Sequence, residues 1–184
     1  MKLEGFDKFA ALIHPQKFER RLHKNVGKAT RKVGLVAEGK IKESIYSGEY
    51  KQNSAVTVAN KGSARPLVDT GQLVRSINSK TVDWMTVDVG VLRKAQVSSH
   101  GNKDIIDVAT ILHYGATIKV TQKMRNYFAA KSREEPDKWR PIRSSTRFIV
   151  IPPRPFLNAA VTRGQQFIYK EIWDLAVEAT FAGL

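Results

Sequence analysis

The acidic triplet with a chemical precedent in this chain is Asp69-Thr70-Gly71, which follows the apolar pair Leu67-Val68. An aspartic protease presents its carboxylate in such a triplet, but its chemistry needs two carboxylates sharing one proton, so a single copy would have to act as a homodimer. Gln72 stands where a small residue usually follows, and the sequence beyond it is helix-like. The spacing favours a helix-entry turn, with Asp69 or Thr70 capping the helical turn and Gly71 permitting its tight entry. The four histidines, His14, His23, His100 and His113, lie far apart, and none has a metal-ligand neighbour at three- or four-residue spacing. His113 sits near an expected helix C-terminus, where the dipole is a sufficient reason for it. There is no cysteine, hence no disulfide and no thiolate metal site. No phosphate-cradling glycine loop and no Gly-x-Ser-x-Gly elbow occurs either. The expectation is a protein that is not an enzyme and has no catalytic, cofactor or metal site.

The elements that position these residues centre on 147–161. Phe148, Ile149, Val150 and Ile151 form a short apolar run expected to be a mostly buried strand, and Pro152, Pro153 and Pro155 cannot continue its ladder. Pro155 has the fixed φ that suits the first turn of a helix, and Phe156, Leu157, Ala160 and Val161 open an apolar stripe at helical spacing. A rigid elbow thus feeds a last helix, expected over 156–181. At the other end, Phe18, Leu22, Val26, Ala29, Val33, Ala37, Ile41 and Ile45 repeat every three or four residues and predict a long helix over 17–47. Gly27, Gly34 and Gly39 within it imply close packing or bending, with a break at Gly34 or Gly39 as a further option. Ahead of it, 1–16 reads as an amphipathic lead-in, with Phe6, Phe9, Ala10 and Ile13 on one face.

Between these helices the pattern gives a polar connection over 48–62 with a short strand at 55–59, then a turn anchored by Leu67, Leu73 and Ile77. The alternation over 81–92 predicts a strand with one drier face, and Gly90 is expected near a bulge or the strand end. A polar loop spans 93–103. A helix over 105–114 buries Ile105, Val108, Ala109 and Leu112, with Gly115 placed for a left-handed C-terminal cap. Residues 119–146 are highly charged, hold Pro136 and Pro141 and contain a helix over 122–132, which reads as an insertion or projecting arm. Its Tyr127, Phe128, Trp139, Arg140 and Arg143 are candidate interface residues, since aromatic and Arg side chains are enriched at interface cores.

With 31 Lys and Arg against 17 Asp and Glu, the formal charge is +14, an attraction for any polyanion. The basic face of the first helix, with Lys17, Arg20, Arg21, Lys24, Lys28, Arg31 and Lys32, could bind phosphates, and the aromatics of 119–154 could stack on bases. No recognised nucleic-acid module accompanies them. Glu4 and Asp7 interrupt what a signal peptide would need, and no apolar run approaches a membrane span, so a soluble protein with no membrane partner is expected.

Three segments in order carry a resemblance: Leu67-Val68-Asp69-Thr70-Gly71-Gln72-Leu73 with Ser76-Ile77, then Ala109-Thr110-Ile111-Leu112-His113-Tyr114-Gly115, then Ile151-Pro152-Pro153-Arg154-Pro155-Phe156-Leu157. Together they resemble the virion-morphogenesis, or tail-completion and neck, proteins of tailed bacteriophages, over roughly residue 66 to the C-terminus. Pro153 stands where the family often has a small residue, and 119–146 is longer than in compact members. The resemblance implies a small sheet flanked by long helices, no catalysis, and a ring between head connector and tail. Its implied partners are copies of itself, six or twelve to a ring, together with the adjacent connector and tail proteins and passing genomic DNA. Its implied location is the virion neck or tail, after assembly in the host cytoplasm.

The combined expectation is one α+β domain over 1–184, with a small, mostly antiparallel sheet containing both 81–92 and 148–151 and flanked by long N- and C-terminal helices. Asp69, Thr70 and Gly71 set a turn, Gly115 caps a helix, and Pro152, Pro153, Arg154, Pro155 and Phe156 fix the last helix to the sheet. The alternative function is a free-standing basic nucleic-acid-binding protein.

Overall fold

The computed structural model describes residues 15–61, 64–92 and 104–182. The lead-in up to residue 14, including His14, and the loop 93–103, including His100, lie outside the described residues. The architecture is mixed α+β: a long N-terminal helix, a C-terminal helix and two small antiparallel two-stranded sheets. In order, the elements are α1 (Pro15–Ser47), α2 (Ala55–Lys61), α3 (Gln72–Ser76), β1 (Ile77–Thr81), β2 (Val87–Val91), α4 (Ile105–Tyr114), β3 (Ala116–Lys119), α5 (Gln122–Glu134), β4 (Phe148–Ile151), a 3-10 turn (Phe156–Val161) and α6 (Arg163–Phe181). The chain divides into two compact units.

The first unit comprises Met1–Gly39, Asn78–Gly90 and Ala160–Leu184. Its core is the apolar stripe of α1 against α6, where Ala29, Ile172 and Ala176 are buried with Val33 and Val36 packed on them. Phe18 meets Phe181 with ring centroids 5.5 Å apart, and Asn25 Nδ2 donates to Thr180 Oγ1 at 3.2 Å. The β1–β2 hairpin also lies on α1. Thr30 Oγ1 donates to the Trp84 carbonyl at 2.7 Å, His23 stacks on Trp84 at 4.2 Å, and Glu38 Oε2 accepts from both Ser79 N and Ser79 Oγ. These contacts explain Gly34. A Cβ on Gly34 would sit 2.5 Å from Val87 Cγ2, so close approach of the hairpin requires the missing side chain. Helix α1 runs unbroken through Gly34 and Gly39, so the break option falls and close packing holds at Gly34.

The second unit comprises Lys40–Ile77 and Val91–Ala159. Ile41 and Ile45 from the end of α1 are fully buried, as are Ile77 and Phe156. Strands β3 and β4 pair antiparallel, with Ala116 opposite Ile151 and Lys119 opposite Phe148. Residues 120–147 are therefore an excursion from the end of a hairpin, closed by Val120 N donating to the Arg147 carbonyl at 2.9 Å.

Several expectations need correction. Residues 55–61 are helical, because Ser54 Oγ accepts from Thr57 N and so caps the first turn. The strand foreseen over 81–92 is only its second half; Asp83 Oδ1 accepts from Met85 N and turns the chain between β1 and β2. The two regions expected to share a sheet lie in separate sheets. Strand β4 ends at Ile151 as expected, yet it is not mostly buried: Phe148 is 54% and Val150 68% exposed. The last helix does not start at Phe156, since a 3-10 turn occupies 156–161 and α6 begins only after Thr162.

Candidate functional site

The segments that carry the family resemblance are distant in sequence and meet in the second unit. The join begins at Gly115, whose φ of 77° and ψ of 173° form a conformation that L side chains rarely adopt. It is not the left-handed cap expected from its position; the chain passes through it directly from α4 into β3. A Cβ there would lie 2.8 Å from the Ile151 carbonyl oxygen and 2.9 Å from Pro153 N, so glycine permits the proline elbow to cross the helix end. Just beyond, Arg154 N donates to the Leu112 carbonyl at 2.9 Å, and Phe156 lies edge-on to His113 at 5.3 Å.

His113 is buried, its Nδ1 has no hydrogen-bond partner, and burial lowers its pKa below the ordinary value. The neutral ring is therefore a packing surface for Phe156 and Tyr114, which replaces the dipole explanation suggested by its position.

Around this join lies a cavity of about 610 Å³, walled by Leu67 and Leu73, by Ile105 and Leu112 of α4, and by Ile151 and Arg154. Asp69, Thr70 and Gly71 stand on its lining too; Asp69 and Thr70 do not take the capping role expected of one of them, whereas Gly71, in the left-handed region, makes the tight entry. The N-cap of α3 is Gly71, at φ 76°, and no side chain caps the helix. Arg75 returns to this turn, its Nη2 donating to the Thr70 carbonyl at 2.8 Å. Among the described residues Asp69 is the sole carboxylate on the lining.

Arg154 is 5% exposed. Instead of tying the last helix to the sheet, it holds the polar connection before α2. Its Nε and Nη2 both donate to the Lys51 carbonyl at 3.2 Å, and Nη2 also donates to Asn53 Oδ1. Among the described residues no carboxylate pairs with it, and desolvation lowers its pKa. Sequence reasoning missed Lys51 and Asn53 because the partner lies 103 positions away and acts on a backbone carbonyl, which any residue type supplies.

The candidate interface residues form a separate cluster on the excursion. Tyr127, Phe128 and Trp139 are mutually edge-on, with centroids 5.3 to 6.0 Å apart, and Trp139 Nε1 donates to Glu135 Oε2. Arg125 clamps the returning chain, donating to the Arg143 and Thr146 carbonyls. Arg140 and Arg143 are exposed, and α5 buries none of its residues. On α1, Lys17, Arg20, Lys24, Lys28, Arg31 and Lys32 are exposed and Arg21 is half-buried. Among the described residues no group of three or more His, Asp or Glu is placed to hold a metal, and no helix is long and apolar enough to cross a membrane. The chain matches no family model, no curated protein and no solved structure.

Proposed function

We propose that this chain is a structural virion protein of a tailed phage, a ring-forming neck or tail-completion subunit that joins the head connector to the tail. The observation that carries the reading is the convergence of the three resemblance-bearing segments: Leu67 to Leu73, Ala109 to Gly115 and Ile151 to Phe156 line one cavity or touch across one join. A motif set kept together in sequence order and also in space acts as one structural device. The exposed arm, with aromatic and Arg side chains outside any core, supplies contact surface for copies of the chain in a head-to-tail ring and for adjoining connector and tail proteins. The subunit assembles in the host cytoplasm and resides in the virion neck, where passing genomic DNA meets a chain of charge +14.

The test is immunogold labelling of purified tailed particles made by the strain that expresses the chain. Label at the head–tail junction is the expected result; particles that lack the chain overturn the reading. A second reading, a basic nucleic-acid-binding protein, draws on the exposed cationic face of α1. Tight duplex binding by the free chain that falls steeply with salt, together with absence from particles, would establish it.

A further inference from the structure

The cavity of the second unit has two unmet features of different kinds. The first is charge. Arg154 sits on the wall, almost wholly enclosed, and its hydrogen bonds go to a carbonyl and an amide oxygen, neither of which carries an anion's charge. A guanidinium removed from water without a carboxylate is costly, and a bidentate carboxylate is the group its geometry fits best. Lys51 also stands on the lining, where Asp69 is the one carboxylate among the described residues.

The second is backbone. Among the described residues strand β4 is hydrogen-bonded to β3 and to no other strand, which leaves its far edge without a strand partner there. Ile149, Val150, Ile151 and Pro152 all line the cavity. Side chains alternate across a strand, so consecutive residues reach one space along the strand's edge. A two-stranded ladder is also marginal by itself and gains from a third strand.

We propose that this cavity is a peptide-binding site, in which an extended segment of an acidic partner protein adds to the free edge of β4, fills the apolar walls with an aliphatic side chain and pairs a carboxylate with Arg154. Main-chain bonds to the edge and pockets for alternate side chains are the recurring logic of strand addition. The volume, about 610 Å³, lies within the roughly 300–1,000 Å³ range of ligand pockets. Leu67, Leu73, Ile105 and Leu112 supply the apolar wall. A second copy of this chain is the poorer occupant on charge, since each copy carries +14. The assignment does not depend on the neck-protein reading; the same peptide would bind a free-standing protein.

The test uses the full chain against a displayed random octapeptide library, followed by the enriched peptide made synthetically. Enrichment of apolar sequences containing Asp or Glu is expected. Converting that acid to its amide should weaken binding at least about tenfold, and amide exchange over 148–151 should slow when the peptide is bound. Val108→Trp fills the cavity from its α4 wall without removing a hydrogen bond of Arg154, and should abolish binding while circular dichroism shows the chain folded. Arg154→Lys is the companion variant, keeping the charge but losing the fork, with at least about tenfold weaker binding expected. The proposal is overturned by any of three results: no enrichment, enriched peptides without an acid, or binding that follows peptide charge alone and is unmoved by Val108→Trp.

Discussion

Gly115→Ala should be among the most damaging single substitutions in the second unit, although it adds only a methyl group. Two separate costs combine. The backbone at φ 77° and ψ 173° lies in a region that is essentially glycine's own, and holding another residue there costs about 1–3 kcal/mol. The new Cβ would also lie 2.8 Å from the Ile151 carbonyl oxygen, 2.9 Å from Pro153 N and 3.1 Å from Pro153 Cδ. None of these is the end of a flexible side chain. Relief requires moving the elbow, which is tied down by Arg154 N on the Leu112 carbonyl, and forced overpacking of this kind costs about 1–3 kcal/mol. The sum is about 2–6 kcal/mol, or a fall in Tm of roughly 5–20 °C for a chain of this size. Urea unfolding followed by circular dichroism measures the loss, and hydrogen exchange over 116–119 and 148–151 localises it. Gly39→Ala is the control, because a Cβ there meets nothing within 4 Å and the helix gains about 0.8–1 kcal/mol. A loss below about 1 kcal/mol for Gly115→Ala would refute the account of the join.

Phe156→Ala should cost about 3–5 kcal/mol, because the ring is fully buried against His113; an unchanged Tm would contradict its placement. In the first unit Gly34→Ala should destabilise by about 1–3 kcal/mol, since the added Cβ meets Val87 Cγ2 at 2.5 Å and Val87 is branched there. Thermal unfolding of Gly34→Ala beside Gly39→Ala should give shifts of opposite sign. His113 supplies a pH dependence: burial depresses its folded pKa, so below about pH 6.5 the unfolded chain binds a proton that the folded chain does not. Its contribution is thus fully present above that pH and lost as pH falls towards the folded value. Urea midpoints between pH 7.5 and 5.5 should drop less for His113→Gln than for the parent chain.

The long helices were legible because their apolar residues recur over many turns, and one face of α1 could be assigned from Val26, Ala29, Ala37, Ile41 and Ile45 without knowing what covered it. Shorter elements were decided by single polar atoms. The β-branched Thr57 and Val58 look strand-like, and the deciding group is the Ser54 hydroxyl that starts a helix there; a Ser directly before 55 was the available signal. Similarly, the alternation of 81–92 runs unbroken through Asp83, whose carboxylate makes the turn. The proline elbow was readable from composition, and so was the need for glycine at 115, though not its conformation. The cavity was not readable at all. Its walls come from separated segments, and the polar partners of Arg154 are a backbone carbonyl and an amide more than a hundred positions away.

The excursion between β3 and β4 leaves and rejoins the hairpin through one ladder end, Val120 to Arg147, and its helix contributes no buried residue. Its return is secured by Arg125 on backbone carbonyls, which stay the same whatever side chains change around them. Such a segment can vary in length and sequence while the hairpin beneath it stays as it is. The ladder end is therefore a tolerant insertion point, where length can be gained or lost without re-solving how the hairpin folds.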